Sequence, residues 1–192
     1  MTASLLIFMV VFVIIVGVGW LFLKQRRDAV WRQLADEIGA EFIEGGLFSA
    51  GKVQARFKNW TVTLDAYSVS SGDSGELYTR MRAPFQNKSE IQFMVFRTGS
   101  VSKLDKALGA EQIEIGDADF DRDFVVRGKS ESQARAFFAN QKIRRMIQAQ
   151  RTIKLIAADN ALLFETQGFI KDIERLKSLF ELFKEALPQL EG

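Results

Sequence analysis

The sequence predicts an α+β protein, with an apolar helix at its N-terminus and then a mainly antiparallel sheet covered by helices. Three observations lead there. Leu5 to Leu23 is an unbroken run of apolar residues and glycine. Several segments between residues 52 and 98, and again between 152 and 166, alternate apolar and polar side chains as strands do. Residues 169 to 187 repeat apolar side chains every three or four positions, which is the period of a helix.

The first 23 residues carry no charged side chain. Nineteen of them at 1.5 Å each make roughly 28 Å, about the thickness of a bilayer's hydrocarbon core, so the run predicts a single membrane-spanning helix. Lys24, Arg26 and Arg27 follow the run and Trp20 sits near its end. A cleaved signal peptide would have the basic residues first. By the positive-inside bias this flank is cytoplasmic, which implies the bacterial inner membrane, a short external tail and an internal domain. The implied segments are 1–23 for tail and span, 24–39 for the basic flank and an amphipathic linker helix, and 40–192 for a single domain.

In the linker, Val30, Trp31, Leu34, Ala35 and Ile38 share a helical face, and Gly39 stands where a helix stops. Strands are expected at 52–58, 60–67, 77–85 and 90–98, with residues 68–76 as a polar loop. Connections this short do not admit crossover helices, so the pairing is antiparallel. Ser130 and Gln133 have the spacing of a capping box, predicting a helix to about Ala149. Asp159-Asn160 suits a tight hairpin between residues 152–158 and 161–166. In the last helix Phe169, Ile173, Leu176, Phe180, Phe183 and Leu187 form one stripe, and Pro188 marks the stop.

A formal net charge of +2 gives no case for nucleic acid as a partner. The chain has neither histidine nor cysteine, which removes Ser-His-Asp and Cys-His catalysis and the usual zinc ligand sets. Gly72-Asp73-Ser74-Gly75 resembles a serine-protease nucleophile segment, but no histidine is present to take the proton. Gly128-Lys129-Ser130 resembles the end of a phosphate-binding loop, yet Asp123 replaces the first required glycine and Phe124, Val125 and Val126 resist the bend. Asp117, Asp119 and Asp121 mimic the start of a calcium loop, but Arg122 and Gly128 stand where glycine and a bidentate glutamate belong. The chain therefore reads as a non-enzyme with no cofactor and no metal ligand set.

Residues 117–128 read Asp-x-x-Phe-Asp-x-x-Phe-Val-Val-x-Gly, through Asp117, Phe120, Asp121, Phe124, Val125, Val126 and Gly128. This resembles a motif of membrane-anchored bacterial proteins whose activity is uncharacterised. The resemblance implies a layout of anchor, sheet, motif, helix, hairpin and last helix, and it implies no activity. Physically, Phe120 and Phe124 suit two core anchors about a bend, with Asp121 accepting backbone N–H bonds within it.

The first functional expectation is a membrane-anchored module that binds another protein, which calls for an exposed apolar patch. The alternative is a domain that binds a lipid or small ligand, which calls for an enclosed apolar cavity beneath the last helix. Lys142, Arg144, Arg145, Arg151 and Lys154 form a basic cluster suited to anionic headgroups. The third expectation is a carboxylate and divalent-cation enzyme, which calls for Asp117, Asp119 and Asp121 to converge.

Overall fold

The computed structural model describes residues 3–46, 49–71, 74–99 and 111–191. The chain opens with helix α1 (Ala3–Ile38), then strands β1 (Glu41–Ile43), β2 (Lys52–Phe57), β3 (Trp60–Ser71), β4 (Ser74–Pro84), β5 (Phe93–Arg97) and β6 (Glu111–Ile113). After these come helix α2 (Ala118–Asp123), strand β7 (Phe124–Gly128), helices α3 (Glu131–Phe138) and α4 (Gln141–Gln148), hairpin strands β8 (Lys154–Ala158) and β9 (Ala161–Gln167), and helix α5 (Ile173–Glu191).

All nine strands join one sheet in the order β1-β2-β3-β4-β9-β8-β5-β7-β6. Every neighbouring pair is antiparallel. The period-two alternation puts one apolar set on one face. Along it a single row of register partners, Phe42, Val53, Leu64, Met81, Phe164, Leu155, Val95, Val126 and Ile113, crosses the whole sheet. From Val53 to Ile113 every member of the row is buried.

Helices cover this face. α5 lays Leu176, Leu179, Phe180, Phe183, Ala186 and Leu187 into the core. Burying each of the larger of these side chains contributes about 1.5–3 kcal/mol before the entropy of ordering is counted. The second half of α1 joins the same core through Trp31, Leu34 and Ala35. Trp31 is fully buried, stacks on Phe169 with 4.5 Å between ring centroids, and donates its indole N–H to the Ile170 carbonyl at 3.2 Å.

The expected span over Leu5–Leu23 does not stand, and with it falls the single-pass placement in the inner membrane. Among the described residues, no helix is long and apolar enough to cross a membrane. The helix does not end at the basic flank: α1 runs on without a break through Arg26, Arg27 and Asp28 to Ile38, and the half whose side chains are best described is charged and amphipathic. Many side chains of the run, with those of Trp20 and Lys24, lie outside the described residues. Of those described, Phe8, Met9, Val11, Phe12 and Ile15 are exposed. Arg26 is exposed too, and the Arg27 guanidinium lies 5.8 Å from the Phe169 ring centroid.

Three further expectations are corrected. The helix from Ser130 is two helices, because Asn140 takes an extended ψ of 105° and its side chain accepts the N–H groups of Lys142 and Ile143, which caps a new start. α5 begins at Ile173 and continues past Pro188 to Glu191, since a proline in the last turn forfeits one backbone bond without ending the helix. The polar loop at 68–76 is largely strand, with β3 reaching Ser71 and β4 starting at Ser74; Gly72 and Asp73 lie outside the described residues. The hairpin turn at Asp159-Asn160 has φ values of 47° and 57°, the left-handed pair that a two-residue turn requires.

Candidate functional site

α4 ends at Gln148, β9 ends at Gln167 and α5 starts at Ile173, and the three ends meet around a cleft of about 490 Å³. Its walls are Ala149, Gln150 and Arg151 on one side, Gln167, Phe169, Ile170, Lys171 and Asp172 on another, and Arg175 and Ser178 from the first turns of α5. It is open to solvent. The enclosed cavity expected beneath the last helix is not what the described residues form there, because the side chains of α5 fill that space.

The floor of the cleft is a polar network centred on one buried side chain, Gln150. Gln150 is only 2% exposed, and its side-chain amide donates to Ser178 Oγ at 3.1 Å. Arg175 donates Nε to Gln150 Oε1 at 3.3 Å and Nη2 to the carbonyl and hydroxyl of Thr152 at 2.7 and 3.0 Å. Arg97 reaches from β5 to donate to the Gln150 carbonyl at 3.1 Å. Burial pushes the Arg175 pKa down, the Asp172 carboxylate pulls it up, and the Arg151 charge pushes it down again. Asp172 caps α5 by accepting the backbone N–H of Arg175 at 3.1 Å.

The cleft's connection is held from the sheet. Thr79, fully buried on β4, donates its hydroxyl to the Gly168 carbonyl at 2.7 Å and accepts the Ile170 N–H at 3.0 Å. Trp31 holds the same segment from α1, so the half-buried Phe169 presents a fixed apolar surface to the cleft while Ile170 packs into the core.

The motif residues lie elsewhere and act on the fold. Phe120 and Phe124 are buried and stack 4.9 Å apart, and Val126 is part of the apolar row. Asp121 accepts the N–H groups of Ile115 and Gly116, each at 2.9 Å. Asp117 caps α2 through the Phe120 N–H and pairs with Arg144 at 3.0 Å, while Asp119 pairs with Arg122 at 2.9 Å. The three carboxylates thus turn to separate partners. Among the described residues, no three acidic side chains are grouped to hold a metal ion. Gly128 is glycine for lack of room, since a Cβ there would meet the Gln92 carbonyl oxygen at 2.8 Å.

The basic cluster is dispersed. Arg144 serves Asp117, Lys142 pairs with Glu185 at 2.6 Å, and Lys154 lies 4.0 Å from Glu165 on the sheet's other face. Arg151 alone of the five lines the cleft. On that other face the polar groups satisfy one another: Arg80 makes a two-point bond to Asp65 at 2.9 and 2.7 Å, and Tyr67 donates to Glu165. Burial, then that bond, raises the Tyr67 pKa.

The architecture is similar to that in the crystal structure of the mycobacterial trehalose monomycolate transport factor A, TtfA, with a TM-score of 0.51 over 84% of this chain and 94% of that one. The two chains share a fold. Sequence identity across the match is 10%, so the likeness is one of architecture alone. No family model and no curated protein matches the chain.

Proposed function

We propose that the protein binds a lipid or another small amphiphile in the cleft between the end of α4 and the start of α5. The supporting observation is the composition of that cleft: the half-buried Phe169 gives it an apolar wall, and Arg151, Lys171 and Arg175 give it a cationic one. An amphiphile needs both. A lipid ligand is in keeping with the fold neighbour, which is a trehalose monomycolate transport factor.

Native mass spectrometry of the full chain purified from its own cells tests this reading. A lipid or small molecule retained by the wild type, and lost when Gln167→Trp fills the cleft from its exposed rim, is the expected result. Retention unchanged by Gln167→Trp would move the ligand elsewhere. A chain that carries only a stoichiometric second protein would instead favour a protein-interaction module. That second reading draws on the exposed Phe8, Val11, Phe12 and Ile15, which share one face of α1.

A further inference from the structure

We infer that the group this cleft recognises is a phosphate ester, gripped by Arg151, Lys171 and Arg175. The inference rests on the ligand-binding reading above and names the chemistry of its ligand.

Arg175 is already positioned for such a role. Its Nε and Nη2 are fixed to Gln150 and Thr152, and Gln150 is buried and held in turn by Ser178. Among the described residues its Nη1 makes no hydrogen bond, so one edge of a clamped, planar guanidinium is left for the cleft it lines. A donor held this way loses little freedom when an anion arrives. Arg151 and Lys171 are exposed on the same cleft, and among the described residues neither has a hydrogen-bond or ion-pair partner.

The charge count selects the ligand. Among the described residues, Asp172 is the one carboxylate lining the cleft, and it is engaged in capping α5. Three cations against it leave two positive charges, which match the charge of roughly −1.5 to −2 on a phosphate monoester. The shape agrees. A carboxylate offers two oxygens in one plane, suited to a single guanidinium, whereas three phosphate oxygens can meet donors arriving from three side chains on two segments. The start of α5, a helix of 19 residues, adds positive potential at the same end. An anion seated between Arg151 and Arg175 also offsets their mutual repulsion, which adds to the effect of burial in lowering the Arg175 pKa. Phe169 lies beside these donors to receive the organic part of the ester.

The test titrates the full chain with three probes by calorimetry: lysophosphatidic acid below its micelle concentration, monoacylglycerol with the same acyl chain, and inorganic phosphate. Lysophosphatidic acid should bind at least tenfold more tightly than monoacylglycerol. The double variant Arg151→Gln, Lys171→Gln, altered only at exposed side chains, should remove that advantage, bringing lysophosphatidic acid down to the affinity of monoacylglycerol. Inorganic phosphate binding as well as lysophosphatidic acid would keep the phosphate assignment and make a free phosphate the source. Equal binding of the two amphiphiles, unmoved by the double variant, would overturn the phosphate assignment while leaving the ligand-binding reading intact. Absence of binding by all three probes would overturn both.

Discussion

The hydroxyl of Thr79 and the backbone N–H of Ile170, 91 residues apart in sequence, meet at 3.0 Å in a fully buried contact. The same hydroxyl donates to Gly168, so one small side chain satisfies both a donor and an acceptor of the β9–α5 connection. Thr79→Val keeps the shape and leaves the Ile170 N–H and the Gly168 carbonyl without partners. It should cost about 1–3 kcal/mol in urea unfolding, whereas Thr79→Ser, which keeps the hydroxyl, should cost less. Equal losses for the two variants would show that the methyl group, and not the hydroxyl, is what matters.

Trp31 supports that connection from the opposite side. Trp31→Ala removes a fully buried indole and should destabilise by about 3–5 kcal/mol. Trp31→Phe keeps a ring to stack on Phe169 but loses the bond to Ile170, and should cost about 1 kcal/mol beyond the lost volume. Ligand affinity should fall in Trp31→Ala, where Phe169 loses its backing, and fall less in Trp31→Phe, which keeps the stacked ring. Chemical unfolding and the binding titration check the two effects separately.

Gly128 yields a prediction about the motif. Gly128→Ala places a methyl group 2.8 Å from the Gln92 carbonyl oxygen, where backbone rather than a flexible side chain must move. The substitution should lower stability by about 1–3 kcal/mol. Phosphate binding should be unchanged, since a phosphate loop at Gly128-Lys129-Ser130 plays no part in the proposed site. Loss of phosphate affinity at normal stability would contradict that assignment.

Asp117 should make stability depend on acid. Its carboxyl is held below the ordinary range first by the Phe120 N–H, with partial burial opposing and Arg144 adding to the effect. A carboxyl lowered in the folded chain contributes stability that is fully present above its unfolded value of about 4, and that stability is lost as pH falls through the folded value. Asp117→Asn should therefore lower the melting temperature at pH 7, and the gap to wild type should narrow below about pH 4. A gap constant from pH 7 to pH 3 would remove Asp117 from the acid response.

Much of the fold was legible because its signals are local. Alternation in 60–67, 77–85 and 161–166 marks strands whose inward residues the sheet then aligns, and the Asp159-Asn160 turn is written in two adjacent residues. The order of strands was not legible. β9 sits between β4 and β8 through pairings of Met81 with Phe164 and Leu155 with Phe164, and nothing near any of these residues states its partner. The break at Asn140 was a single cap inside a continuous helical pattern, and tertiary packing of Phe138 and Ile143 favoured two short helices over one. The cleft was the least visible feature. Arg151 lies on one side of the β8–β9 hairpin and Lys171 and Arg175 on the other, so no short motif joins them. Only the fold brings the three together.

The sheet is broad in its middle and ends on very short strands. β1 and β6, at its two ends, are three residues each, and each begins with a glutamate. Such a stub gives an incoming extended chain few backbone groups to pair with, and the carboxylate disfavours a neighbour packed alongside it. Among the described residues, stubs of this kind at both rims guard against runaway chain-to-chain pairing, and so against fibrous self-assembly when the protein is concentrated.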